Sequence, residues 1–205
     1  MLWVLFLTAC GFLPQATTKG DTSAPADDTA EESAGDTTPE DTAAPGADDD
    51  EVRALTDLPT GDDPCAEPML VRVDYTVDGD TFYATPDGGG ANVKVRMIGM
   101  DTPEVAHDDP AECYGNDAWT WTAEHLEGRL AWLTFDADCL DDYGRSLAYV
   151  IRGTDSADGF INRALLRHGY ATTLTIRPND SFEQVFAQDE EDARQAGEGL
   201  WSACD

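Results

Sequence analysis

Beyond residue 64 the apolar and polar positions fall into strand-like and helix-like periods. Residues 70–77, LVRVDYTV, are rich in β-branched side chains and end at Asp78-Gly79, a dipeptide suited to a tight hairpin turn. Residues 81–85 are the predicted returning strand, and PDGGG at 86–90 is the next turn. Val93, Val95 and Met97 alternate with Lys94 and Arg96, the period of a strand with one buried face. Pro103 and Pro110 interrupt residues 99–115, which predicts a loop. Over 116–127 Ala118, Trp121, Thr122 and His125 fall on one helical stripe, and Gly128 fits the helix end. Ala131, Leu133 and Phe135 alternate as a fourth strand, and residues 147–151 are a fifth. A short helix over 160–168 stops at Gly169. Ser181 is the candidate N-cap of a last helix to about residue 195, with Glu183 and residues 189–192 on its solvent side. Three strands, a helix, two strands and two helices predict a small β-barrel with helices appended, an α+β arrangement.

Residues 11–64 read differently. They hold 15 acids, 2 bases and hardly an aromatic, being mostly Asp, Glu, Thr, Ala, Gly, Pro and Ser. Such a segment cannot bury enough apolar surface to offset the entropy of ordering. The expected organisation is therefore a leader over 1–9, a disordered acidic tether over 10–64 and a domain over 65–205. The leader, MLWVLFLTA, is a short apolar run ending in small residues, too short to span a bilayer. Leu7-Thr8-Ala9-Cys10 resembles a bacterial lipobox, which implies cleavage before Cys10 and lipid on its sulfur. An ordinary secretory signal is the competing reading. Gly11, standing after the cysteine where an Asp would retain a lipoprotein in the inner membrane, points to the outer membrane.

Setting Cys10 aside leaves Cys65, Cys113, Cys139 and Cys204. An even set in an exported domain implies disulfides, with three possible pairings. The expected pairing ties the domain ends, Cys65 with Cys204, and leaves Cys113 with Cys139. No C-x-x-C or H-x-x-x-H spacing supports zinc.

The net charge is −30, from 42 acids and 12 bases among 205 residues. That excludes a protein gripping nucleic acid with a broad basic surface, but not one meeting phosphate at a small site. Three clusters suit such a site: Asp78-Gly79-Asp80-Thr81, the run Arg96 to Glu104, and Asp141-Asp142-Tyr143-Gly144-Arg145, with Arg177-Pro178-Asn179 a weaker fourth. Singly, each reads as a turn. Together, Asp80 and Asp101 are carboxylates at strand–loop junctions whose repulsion a hard divalent cation relieves. Oxygen-only donors favour calcium or magnesium. Thr102 precedes Pro103 and is held extended, so that its carbonyl can face a metal. Glu104 is placed to hold or deprotonate a water. Arg96 and Arg145 suit bidentate phosphate binding and stabilisation of charge at a pentacoordinate phosphorus.

Residues from about 70 to 201 resemble the staphylococcal nuclease family. The matching runs are VDGDTF at 77–82, VRMIGMDTPE at 95–104, YGNDA at 114–118, DDYGRSLAYV at 141–150, ALLRHGYA at 164–171 and GLW at 199–201. The resemblance implies a five-stranded OB-fold barrel with three helices and a calcium-dependent phosphodiesterase acting on DNA, RNA or both, leaving 3′-phosphates. It implies that Asp80, Asp101 and the Thr102 carbonyl bind calcium, and that Asp78 supports them. Glu104 then handles the attacking water, Arg96 and Arg145 hold the scissile phosphate, and Tyr143 lies against a terminal phosphate or sugar. Asp142 stands where the archetype has a lysine that binds terminal phosphate, which implies a weaker contact. Leu174 and Thr175 stand near an archetypal tyrosine that stacks on the base. The domain's own balance of −17, from 27 acids and 10 bases over 65–205, implies lower substrate affinity at moderate salt.

His125 is expected in the core, His168 at helix carbonyls, and His107 at a solvated loop tip. Trp119, Trp121, Trp132 and Trp201 are expected to pack. The whole reads as an exported, lipid-anchored, monomeric nuclease. The alternatives are a catalytically weak OB-fold binding module or a calcium-binding surface lipoprotein. Retention of Asp80, Arg96, Asp101, Glu104 and Arg145 favours the enzyme.

Overall fold

The computed structural model describes residues 49–106, 109–153 and 158–204. Cys10 and the expected leader, residues 10–48 of the expected tether, and His107 lie outside them. The barrel strands are β1 (Met69–Thr76), β2 (Thr81–Pro86), β3 (Val93–Met97), β5 (Leu130–Thr134) and β6 (Ser146–Ile151), and they close in the order β1-β2-β3-β6-β5. All neighbours are antiparallel except β3 and β6. This is the expected five-stranded barrel with helices appended.

Alternation along the strands sends Val71, Val73, Phe82, Ala84, Val95, Met97, Leu133 and Ala148 into a common core, all fully buried. Truncating a residue like Phe82 costs about 3–5 kcal/mol, against at most about 1 kcal/mol for an exposed ion pair. The core, not the charged surface, holds the barrel.

The three expected helices are α2 (Gly115–Leu126), α3 (Ile161–Arg167) and α4 (Glu183–Ala196). Two short ones, α1 (Asp49–Arg53) and α5 (Leu200–Ala203), join them among the described residues. A second, two-stranded sheet pairs β4 (Gly99–Asp101) with β7 (Thr172–Leu174). β4 lies inside the segment expected to be a loop, and it carries Asp101 in register with Thr172.

Residues 49–64 correct the expected tether boundary. Val52 is fully buried, and the Trp132 Nε1–H donates to its carbonyl at 2.8 Å. The Leu130 N–H donates to Asp49 Oδ1 at 2.9 Å, and the Thr134 hydroxyl to the Pro59 carbonyl at 2.6 Å. This segment covers the outer face of β5. Leu130, Ala131, Leu133 and Thr134 are therefore all buried in place of the expected alternation.

The disulfides also differ from expectation. They are Cys65–Cys139 and Cys113–Cys204, with Cα separations of 5.7 and 5.9 Å. The Gly61 N–H donates to the Phe135 carbonyl and the Cys65 N–H to the Asp136 carbonyl, at 2.9 and 2.8 Å. Those bonds run residues 61–65 beside the end of β5, so Cys65 meets Cys139 and cannot reach Cys204. At the carboxyl end, the Leu200 N–H donates to the Gly169 carbonyl at 2.8 Å. The turn that follows brings Cys204 to the loop holding Cys113.

Four smaller expectations change. Ser181 does not cap α4; its hydroxyl donates to Asp136 Oδ1 at 2.8 Å, and Phe182 occupies the cap position. Asp189 and Glu190 are buried, not solvated, because arginines and a strand face them. His168 bonds Asp158 Oδ1 through Nε2 at 2.9 Å in place of helix carbonyls. His125 is half-buried and stacks on Trp121, with ring centroids 3.9 Å apart.

Candidate active site

The β1–β2 turn sets the first carboxylate. Asp78 Oδ1 accepts the Asp80 N–H at 3.0 Å, closing the turn on itself. Asp80 is then fully buried. Its Oδ1 accepts from the Thr81 hydroxyl at 3.0 Å, and its Oδ2 accepts the Thr102 N–H and hydroxyl at 3.0 and 3.2 Å. Glycine is required at 79 by close approach, since a Cβ there would stand 2.7 Å from Thr102 Oγ1. Thr102 is thus locked to both the turn and Asp80.

Arg96 lies opposite Thr81 on β3 and points outward, because its neighbours Val95 and Met97 point into the core. Its two Nη atoms donate separately, one to Asp80 Oδ1 and one to Asp101 Oδ1. Asp80 and Asp101, distant in sequence, converge on one cation. Burial drives the Asp80 carboxyl well above the ordinary carboxylate range; Arg96 opposes this and Asp78 adds to it. Arg96 itself is raised: burial works against its charge, but the carboxylates of Asp80 and Asp101 outweigh that.

Among the described residues, no three His, Cys, Asp or Glu side chains form a metal-ligand cluster. The Asp80 and Asp101 carboxylate oxygens that pair with Arg96 are hard oxygen donors of the type a divalent cation takes. Their all-oxygen chemistry suits calcium, which completes its shell with carbonyls and water.

Glu104 sits where the chain leaves Pro103, and the Glu104 N–H donates to Glu112 Oε2 at 3.0 Å. Its carboxyl is raised by desolvation and by the charges of Asp78 and Asp101, with Arg96 opposing. The start of α2 backs this loop, and a Cβ on Gly115 would stand 2.2 Å from the Glu104 carbonyl oxygen.

Arg145 comes from a turn built on Asp141. One carboxylate oxygen of Asp141 accepts the N–H groups of Tyr143 and Arg145, both at 2.9 Å, and the other takes the Arg145 Nε–H at 2.6 Å. Asp141 is held below the ordinary carboxylate range: burial acts against this, but the Arg145 backbone and guanidinium prevail. Tyr143 projects from the turn, 86% exposed, with the Arg145 guanidinium 5.5 Å from its ring centre.

A cleft of about 400 Å³ joins these groups. Arg96, Glu104, Tyr143 and Arg145 line it, as do Asp142 and the weaker cluster of Arg177, Pro178 and Asn179. Asp80, Asp101 and Thr102 stand behind Arg96. Every expected site residue among those described therefore gathers at one end of the barrel.

Two contributions escaped the sequence reading. Ile176 joins Leu174, which the sequence already set near the base-stacking position, in an apolar wall of the cleft. Their two-residue spacing is the available signal, but Ile176 lies just past β7. Glu190 on α4 accepts the Thr173 N–H at 3.0 Å and also bonds the Thr173 hydroxyl, fixing β7 beside Asp101. Nothing local in the sequence marks that contact.

Residues 94–203 match the family model described as staphylococcal nuclease homologue. The chain is 34% identical over 138 residues to the thermonuclease of Staphylococcus hyicus, covering 67% of this chain and 78% of that protein. It is 35% identical over 136 residues to the thermonuclease of Staphylococcus intermedius, covering 66% of this chain and 76% of that protein. A third relative is the SPbeta prophage-derived endonuclease YokF of Bacillus subtilis, 34% identical over 137 residues; the match spans 64% of this chain but 44% of YokF. The match to the model and to the thermonucleases, over a closed five-stranded barrel with its site at one end, establishes that the chain belongs to the staphylococcal nuclease family.

Proposed function

We propose that the chain is a calcium-dependent phosphodiesterase that hydrolyses DNA, RNA or both and leaves 3′-phosphates. The hydrolase class is that of the family and of its nuclease-named relatives. The observation that carries the reading is the convergence of Asp80 and Asp101 on one cationic point, with Glu104 and Arg145 lining the same cleft.

Asp80, Asp101 and the Thr102 carbonyl would hold the calcium ion. When bound, it neutralises phosphate charge and acidifies a nearby water. Glu104 orients the attacking water and takes its proton, and a carboxyl already raised suits that task better near neutral pH. Arg145, pre-oriented by Asp141, and Arg96 bind the scissile phosphate and offset the charge that builds on its oxygens. Tyr143, at the exposed rim, donates to a terminal phosphate or sugar. The P–O5′ bond breaks and the phosphate stays on the 3′ side.

The same reading places the enzyme outside the cytoplasm as a monomer, lipid-anchored through Cys10 and facing the medium, most simply on the outer membrane. Two disulfides support an oxidising compartment. The test is hydrolysis of single-stranded DNA and of RNA by the purified oxidised protein, with calcium and with a chelator. Absence of metal-dependent cleavage across a range of salt sinks the proposal.

A further inference from the structure

A row of three side chains crosses the outer face of the barrel beside the site. Tyr75 on β1 pairs with Tyr83 on β2, and Tyr83 pairs with Lys94 on β3. The two tyrosine rings stack with centroids 4.9 Å apart, and Lys94 Nζ stands 5.7 Å from the Tyr83 ring centre. Tyr75 is 51% exposed, so one face of the stack is open to solvent.

The row is continuous with the catalytic groups. Lys94 and Arg96 are two residues apart on β3, on the outward side, since Val95 and Met97 are buried. The neighbouring pair along the same face is Thr81 with Arg96. One strand step, about 7 Å, separates the Tyr83–Lys94 pair from the guanidinium that faces phosphate. Lys94 is also unusual among the cations. Arg53, Arg72, Arg96, Arg145, Arg163, Arg177 and Arg194 all pair with carboxylates, whereas Lys94 makes no ion pair among the described residues. On a domain so acidic, a cation without a carboxylate, set over stacked aromatic rings, is the chemistry that accepts a base on its π-face and a phosphate beside it.

We infer that Tyr75, Tyr83 and Lys94 form an extended subsite for the single strand that flanks the scissile phosphate. Tyr75 offers its open ring face to a base, Tyr83 backs it, and Lys94 meets a backbone phosphate. This rests on the nuclease reading above and adds to it a surface outside the cleft. It gives the enzyme a grip on long substrate that its net charge otherwise denies.

The experiment uses the full oxidised protein, Tyr75→Ala and Lys94→Gln. Fluorescent oligothymidylates of increasing length are followed by anisotropy with chelator present, and their cleavage is followed with calcium. The expected result is a Kd for a long oligonucleotide raised roughly tenfold in Tyr75→Ala. The KM should rise in step at near-constant kcat, by more as the substrate lengthens. Lys94→Gln should flatten the dependence of binding on salt by about one phosphate contact. Equal Kd and KM in wild type and both variants at every length would overturn the subsite while leaving the nuclease reading intact. A protein that cleaves nothing, yet loses oligonucleotide binding in Tyr75→Ala, would keep the surface and refute the catalytic reading.

Discussion

Glu104 and Glu112 are bonded to each other twice: the Glu104 N–H donates to Glu112 Oε2 at 3.0 Å, and the Glu112 N–H donates to the Glu104 carbonyl at 2.9 Å. The proposed base thus hangs on the far end of its own loop. Next to Glu112 stands Cys113, joined to Cys204. The disulfide is therefore a brace for Glu104 as well as a staple for the carboxyl end. Replacing both cysteines with serine is expected to lower stability by about 2–4 kcal/mol, read by urea unfolding. It should also lower kcat at temperatures where the variant is fully folded. An unchanged kcat there would mean that hydrogen bonds alone hold the loop.

Glu104→Gln and Arg145→Ala separate chemistry from folding. Glu104 is exposed, and neither residue belongs to the core. Each substitution should reduce kcat by roughly 10²–10³-fold, with circular dichroism and melting little altered. Arg145→Ala also frees the Asp141 carboxylate, so some of its loss should appear in KM. Near-normal rates for either variant would remove that residue from the mechanism.

The barrel and most of the site are legible in the sequence for one physical reason: their determinants are local. Period-two alternation fixes the faces of β1 and β3. The Asp78-Gly79-Asp80 turn sets its own geometry, and Asp101 to Glu104 follow one another around a proline. What stays hidden depends on partners far along the chain. β4 and β7 have three residues each, too short to show a period, and each exists because the other pairs with it. Asp49 and Val52 sit in an acidic, low-apolar stretch, yet one buried valine and a few hydrogen bonds to β5 order it. The acids of α4 read as a solvated face because sequence shows their charge but not Arg163 and Thr173 opposite. The cysteine pairing fails likewise, since it is set by where residues 61–65 run, not by which cysteines bracket the domain.

Asp80 makes metal-free stability depend on pH. Burial raises its carboxyl to about 7, and Glu104 is raised as well. A carboxyl raised on folding binds its proton more tightly in the folded state. Its contribution is then fully present below the unfolded value and is lost as pH rises through the folded one. With chelator, the melting midpoint should fall between about pH 4 and 7 through these groups. Asp49, Asp87 and Asp141, held below their ordinary range, act oppositely and only toward more acid pH. Calcium favours the ionised form, so it should raise the midpoint more at pH 7.5 than at pH 5. Differential scanning calorimetry of wild type and Asp80→Asn checks this. An Asp80→Asn variant with the wild-type slope and the wild-type calcium shift would refute the assignment.

Glu190 ties stability to the proposed calcium site. Glu190 is 8% exposed, and its carboxylate holds the Thr173 N–H and hydroxyl on one side and the Arg194 guanidinium on the other. Thr173 pairs with Met100, and the next pair along the sheet is Thr172 with Asp101. Loosening Thr173 therefore loosens the strand that carries Asp101, while Asp80 stays fixed by Thr102. Glu190→Ala removes the acceptor of two part-buried Thr173 donors, while Arg194 keeps Glu191 as a partner, and should cost about 1–3 kcal/mol. A purely structural contact would stop at that loss. A contact that positions Asp101 should also raise the calcium concentration needed for half-maximal activity, with kcat at saturating calcium largely kept. Isothermal titration with calcium and a calcium series of initial rates distinguish the two. A lowered melting point with unchanged calcium affinity would confine Glu190 to holding β7 on α4.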